Sequence, residues 1–132
     1  MTTTTAPLTR NVPLLTARVL GGLLGAMGLI ASSYFMFVIP DEVVWKGPWL
    51  DVPIVALLLS GAFLKLGVGV FPGLADSRRI AMGYLAVGIG IAVTLVKVPV
   101  YDEPEGVGIL VFDLVLLVLL TLARRNATRR DA

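Results

Sequence analysis

Residues 50–71 read LDVPIVALLLSGAFLKLGVGVF, an apolar stretch that is long enough to cross a bilayer and that carries Lys65 well inside it. A membrane-spanning helix needs about 20 apolar residues, and it satisfies its own backbone hydrogen bonds in the hydrocarbon. Three further segments of the chain have the same character. The sequence therefore predicts an all-α integral membrane protein, a four-helix antiparallel bundle with helices at about 13–39, 50–71, 78–98 and 106–124.

The composition supports this class and excludes several kinds of chemistry. Of the 132 residues, 57% are hydrophobic, which is more than an ordinary soluble domain contains. The sequence has no cysteine and no histidine, so disulfides, iron–sulfur clusters and the usual ligands of haem and zinc are excluded. We predict no metal site and no cofactor, with a bound quinone or lipid left open as the alternative.

Basic residues lie mainly on one side of the predicted membrane. Only Lys46 and Lys97 fall on the other side; the first side has Arg10, Arg18, Arg78, Arg79 and the four arginines between 124 and 130. Because cytoplasmic segments carry the excess of lysine and arginine, an N-terminal tail (1–12) and a basic tail (125–132) are both predicted to be cytoplasmic, at the cell membrane. The net charge of +2 then needs no nucleic-acid partner.

Two local signals predict the limits of helix three. Ser77 is expected to cap its N-terminus, since a serine oxygen accepts a hydrogen bond from a free N–H of the first turn. Pro99 is expected to end the helix at residue 98, since a proline disfavours the helical conformation of the residue before it.

Small residues recur on one face of helices one and three. They are Gly21, Gly25, Gly28 and Ser32 in helix one, and Gly83, Gly90 and Thr94 in helix three. Faces of small residues let neighbouring helices approach closely in lipid. We predict that helices one and three pack against each other through these faces. The alternative is a groove that holds a lipid or quinone tail.

Four charged residues are predicted to lie within the membrane: Arg18, Lys65, Lys97 and Asp113. Lys65 either extends its stem to the inner headgroups or has a binding or coupling role. Asp113 lies about 10 Å below the outer boundary, too deep for an aspartate to reach water. Since Lys97 is closest in depth, a structural Asp113–Lys97 pair is predicted, and the alternative is an Asp113 that carries a proton or cation.

Three features occur together: Arg18 followed by glycines in helix one, a hairpin from Gly61 to Gly90 with Pro72 and Arg78-Arg79 at its tip, and an apolar fourth helix. In this combination, which spans residues 18–125, the chain resembles the DoxX-like family of small four-helix membrane proteins. Some members of that family are associated with quinone-linked sulfur oxidation, so the resemblance implies a quinone-associated membrane subunit. The family is expected to have an acidic residue in helix two, where this chain has Lys65.

The sequence shows no Ser/His/Asp set, phosphate-binding glycine loop or carboxylate pair. A non-catalytic accessory or scaffold subunit is therefore the first functional hypothesis. The alternatives are a small proton- or cation-coupled transporter or channel that works as a homo-oligomer through Asp113, and the DoxX-like subunit. The expected partners are the lipid bilayer and either another membrane protein or further copies of this chain.

Overall fold

A computed structural model describes residues 11–131, with side chains described from 11 to 128. It has four α-helices, α1 (Val12–Phe37), α2 (Pro48–Val70), α3 (Asp76–Val100) and α4 (Gly106–Asp131), and a short 3₁₀ helix at Pro40–Glu42. No strand occurs in this part of the chain, and each α-helix is long and apolar enough to cross a membrane. These findings confirm the all-α, four-helix prediction. The predicted N-terminal tail as far as Arg10, and the side chains of Arg129 and Arg130, lie outside the described residues.

Prolines set the limits of the first two helices. α1 ends at Phe37, earlier than the predicted 39, because Ile39 precedes Pro40 and leaves the helical conformation. α2 begins at Pro48, earlier than the predicted 50, since a proline fits the first turn of a helix, where its missing N–H is not needed.

α3 and α4 are longer than predicted. Ser77 is not the N-cap of α3, because the helix already begins at Asp76, whose negative charge suits the positive end of the helix dipole. Pro99 lies inside the last turn, where it removes one hydrogen bond while the N–H of Tyr101 still bonds to the carbonyl of Lys97. α4 continues past the predicted 124 to Asp131, because its alanine and arginine residues favour helix after the apolar run ends.

α1 packs mainly along α2, with glycines at the closest points. A Cβ atom built on Gly25 would overlap the backbone of Leu66 and lie 2.6 Å from the carbonyl oxygen of Ala62. A Cβ on Gly69 would lie 2.6 Å from the carbonyl oxygen of Arg18. The two helix backbones are therefore in contact, with no side chain between them.

The prediction that helices one and three pack against each other is wrong. α1 and α3 scarcely touch, whereas α2 and α4 each contact both of them. The glycine face of α3 meets α4 instead, where a Cβ on Gly83 would lie 2.7 Å from Leu120. Helices joined by short loops are usually neighbours, and a glycine face favours close packing without selecting the partner. α2 covers the glycines of α1 in the described structure, and a bound lipid or quinone tail stays a prediction.

One core cluster is centred on α4 and joins it to α1 and α3. Leu116 and Leu120 are fully buried and pack with Ala17 of α1 and Val87 of α3. A second cluster continues toward the start of α1 and contains Leu14, Ile80 and Ala123. A third cluster joins α2 to the end of α3 and contains Ile54, Val93 and Tyr101.

Candidate functional site

An ion pair inside the protein joins α2 to α4. The ammonium of Lys65 lies 2.5 Å from Oδ1 of Asp113. Asp113 is completely buried and Lys65 is 8% exposed. Two full charges removed from water in this way are costly to bury, so the pair holds only while each charge neutralises the other.

Gly90 of α3 makes room for this pair. A Cβ atom at residue 90 would overlap the Asp113 carboxylate and lie 3.1 Å from Nζ of Lys65. Thr94, one turn further along α3, donates its hydroxyl to the carbonyl of Gly90 at 2.8 Å. The ion pair is therefore enclosed by three helices, and no donor other than Lys65 bonds to either Asp113 oxygen among the described residues.

The predicted Asp113–Lys97 pair is wrong, and depth is the reason. Side chains on a helix lean toward its N-terminus, so Lys65 extends back along α2 and not toward the end of the helix, as snorkelling to the inner headgroups would require. The first residue of α4 lies beside Val98 and Thr94, not level with the end of α3. Asp113 therefore lies further below the end of α3 than a count of residues from the loop indicates. The ammonium of Lys65 is closer to it than the ammonium of Lys97.

Lys97 pairs instead with Glu103 in the loop between α3 and α4. Nζ of Lys97 lies 2.8 Å from Oε2 of Glu103, and their side chains are 24% and 32% exposed. Partly exposed pairs of this kind contribute at most about 1 kcal/mol. Lys97 therefore belongs to the loop and takes no part in the buried site.

Two arginines hold the C-terminal carbonyl groups of α2. Nη1 of Arg79 donates to the carbonyl of Val68 at 2.6 Å, and its Nη2 donates to that of Phe71 at 2.8 Å. Nη2 of Arg18 donates to the carbonyl of Gly69 at 3.1 Å. The last carbonyls of a helix lack partners within it and form the negative end of its dipole, so cations are stabilised there. The sequence singles out Arg18 but includes Arg79 only among the basic residues predicted to be cytoplasmic.

Asp51 fixes the opposite end of α2. Its carboxylate accepts hydrogen bonds from the backbone N–H groups of Lys46 and Gly47, and from the hydroxyl of Tyr101 at 2.6 Å. Gly47 has φ +125°, a conformation that favours glycine. These bonds tie the α1–α2 loop and the end of α3 to one side chain. This cluster is not among the sequence-based predictions, although an aspartate one turn into a helix after a glycine is a signal for it.

The hydroxyl of Tyr101 is expected to lose its proton at a higher pH than an ordinary tyrosine. Burial, together with the bond to Asp51, raises the pKa of Tyr101 from 10.0 to about 12. Because the neutral phenol is the donor, its contribution to stability is complete below pH 10 and is lost as the pH rises through 12. Subtracting the ultraviolet titration of Tyr101→Phe from that of the wild type isolates this phenol, and a midpoint near 10 would contradict the bond.

The described residues offer few other sites. No group of three His, Cys, Asp or Glu side chains lies together where it could hold a metal ion. An open groove of about 450 Å³ on the surface of α4 is lined by Thr121, Arg124, Arg125 and Thr128. It shares no residue with the Lys65–Asp113 pair, so that pair remains the candidate site.

No family model, no curated protein and no solved structure matches this chain. The resemblance to the DoxX-like family is neither supported nor contradicted by these comparisons and stays a prediction. Function is therefore inferred from the geometry of the ion pair and of the helix ends.

Proposed function

We propose that this chain is a multi-pass protein of the cell membrane, an antiparallel four-helix bundle with both termini in the cytoplasm. Within that frame it serves as a non-catalytic accessory or scaffold subunit. The order of contacts supports the antiparallel arrangement: Gly83 of α3 lies against Leu120 of α4, whereas Gly90, further along α3, lies against the earlier Asp113. The same reversal occurs between α1 and α2, where Gly21 lies against Val68 and Gly28 against Ala62.

The enclosure of the ion pair carries the functional part of the proposal. A transport or catalytic site must be reached by its substrate from at least one side. Asp113 has no exposed surface, and among the described residues its only ionic partner is the almost equally buried Lys65. A charge pair that is neutralised and closed off fixes two helices against each other, which is a structural role.

The outer surface of the helices fits contact with lipid and with another membrane protein. Large apolar side chains that are more than half exposed occur on all four helices, among them Val19, Met27, Phe63, Leu85, Leu95 and Val118. Monomeric soluble proteins seldom expose apolar surface on this scale. Such a surface serves a subunit that works through its contacts within the membrane.

Cysteine labelling tests the topology. The chain has no cysteine, so Asp102→Cys and Thr128→Cys each introduce a single reactive thiol at an exposed position. A membrane-impermeant maleimide is expected to label Asp102→Cys in intact cells and Thr128→Cys only after permeabilisation. Labelling of both from the same side would overturn the proposed topology.

Native extraction tests the accessory role. Tagged chain purified from its own membranes in mild detergent is expected to remain in a complex of fixed stoichiometry with a larger membrane protein, measured by native mass spectrometry. A homodimer without any other subunit would favour a transporter. Quinone that co-purifies in stoichiometric amount would favour the DoxX-like subunit.

One observation favours the transporter as the second candidate. Apart from Lys65, the Asp113 carboxylate has no hydrogen-bond partner among the described residues, as expected for an acid that exchanges a proton or cation. Transport through Asp113 predicts a pH-dependent flux in liposomes that Asp113→Asn removes. The structural role predicts no such flux from either protein.

A further inference from the structure

The two arginines at the end of α2 form a cluster of positive charge that the described residues do not neutralise. Arg18 and Arg79 donate to the carbonyls of Gly69 and Val68, which are consecutive residues, so both guanidinium groups lie at the same end of α2. Neither guanidinium makes an ion pair within 4.0 Å among the described residues. The nearest acid along α3 is Asp76, and it too makes no ion pair with Arg79.

The carbonyl groups balance only part of this charge. The C-terminal end of a helix is equivalent to roughly half a negative charge, whereas the two guanidiniums carry two full positive charges. Arg79 is 3% exposed, so water screens it little. Charges held away from water need a counter-charge, and no acid among the described residues forms an ion pair with either arginine.

Arg18 retains donors for such a counter-charge. Its one described hydrogen bond uses Nη2, and its Nε is buried without any partner. An unpaired buried donor costs free energy, and an anionic oxygen is its strongest partner. Arg18 is partly exposed, and Arg78 and the loop residues Pro72 and Gly73 beside the cluster are exposed, so a ligand can approach from the end of the helices.

We propose that Arg18 and Arg79 bind a phosphate group, supplied by the headgroup of an anionic phospholipid. The membrane source rests on the proposed insertion and orientation, which place the cluster at the cytoplasmic headgroups. That leaflet carries the anionic lipids, and basic pockets between helices on this side bind their headgroups. A free phosphate ion has the same chemistry and is the other source that the test distinguishes.

Melting temperatures in a neutral detergent test this proposal. Phosphatidylglycerol added to the micelles is expected to raise the melting temperature by roughly 5 °C at a concentration well above its dissociation constant, while phosphatidylcholine leaves it unchanged. Inorganic phosphate at the same concentration identifies the source. If only phosphatidylglycerol stabilises, the source is the lipid, and if both stabilise, the site takes a phosphate group from either.

Matched variants locate the effect. Arg18→Gln keeps a donor for the Gly69 carbonyl but removes the charge, and it is expected to lose most of the stabilisation. Arg125→Gln removes one positive charge from an exposed position on α4, and this variant is expected to keep the stabilisation by phosphatidylglycerol. Stabilisation that persists in Arg18→Gln, or equal melting temperatures of the wild type in the two lipids, would overturn the site. The comparison of the two lipids needs no variant, so it remains valid even if Arg18→Gln does not fold. Cysteine labelling from the wrong sides would overturn the proposed topology, but it would not remove a stabilisation by phosphate.

Discussion

Lys65→Met is expected to destabilise the protein by about 3–5 kcal/mol, because it leaves the completely buried Asp113 without the ionic partner that it has among the described residues. Asp113→Asn should cost less, since the neutral amide has the same shape and its oxygen still accepts a hydrogen bond from Lys65. The double variant Lys65→Met/Asp113→Asn should recover part of the loss, because it leaves no unpaired charge in the buried site. Thermal or denaturant unfolding of the four proteins in one detergent measures these differences.

The double-mutant cycle also separates the two candidate functions. Single-variant losses that simply add would show that Lys65 and Asp113 do not interact and would refute the pair. If Asp113→Asn leaves stability intact and abolishes a pH-dependent flux in liposomes, the transporter is favoured. Lys97→Gln is the control, because its partner Glu103 is partly exposed and the change should cost less than about 1 kcal/mol.

Adding one methyl group at Gly25 is expected to separate α1 from α2. The new Cβ in Gly25→Ala would overlap the backbone of Leu66, which cannot move aside as the tip of a side chain can. Overpacking a core with side chains costs about 1–3 kcal/mol, and a clash with backbone should exceed that range. The folded fraction after detergent extraction, measured by size-exclusion chromatography and thermal unfolding, should fall sharply.

Gly88→Ala is the matched control for Gly25→Ala. It makes the same change within a helix, but a Cβ at residue 88 would meet nothing within 4 Å. Alanine favours helix over glycine by about 1 kcal/mol, so this variant should be as stable as the wild type or slightly more so. Equal losses in the two variants would mean that α1 and α2 do not meet at Gly25.

The number and approximate position of the helices could be predicted because hydropathy acts locally, although the helix ends near Pro40, Pro48 and Pro99 differ from the prediction. Which helix packs against which could not be predicted in the same way. The glycines of α1 and α3 indicate close approach, but the choice between α2, α3 and α4 depends on how the whole bundle assembles. A count of residues from the loop placed Asp113 next to Lys97, because it ignored the lean of Lys65 and the deep start of α4.

The helix-end clusters were missed for another physical reason. Arg79 acts on backbone carbonyls of α2, which have no signature in the sequence, and the local signal for Asp51 does not reveal its bond to the distant Tyr101. A charged residue near a predicted helix end is normally assigned to solvent. Recognising it as a partner for free carbonyl or N–H groups requires knowing which helix ends lie close together.

The Lys65–Asp113 contact has a consequence for biosynthesis. A chain is made from its N-terminus at roughly 5–20 residues per second, so Lys65 emerges several seconds before Asp113. During that interval α2 has no acid to neutralise its lysine, and the nascent helical hairpin carries an unpaired charge. The arrival of α4 ends this state. A chain that stops before residue 113 therefore keeps an unpaired lysine in α2, and we expect it to fold less stably than the whole chain.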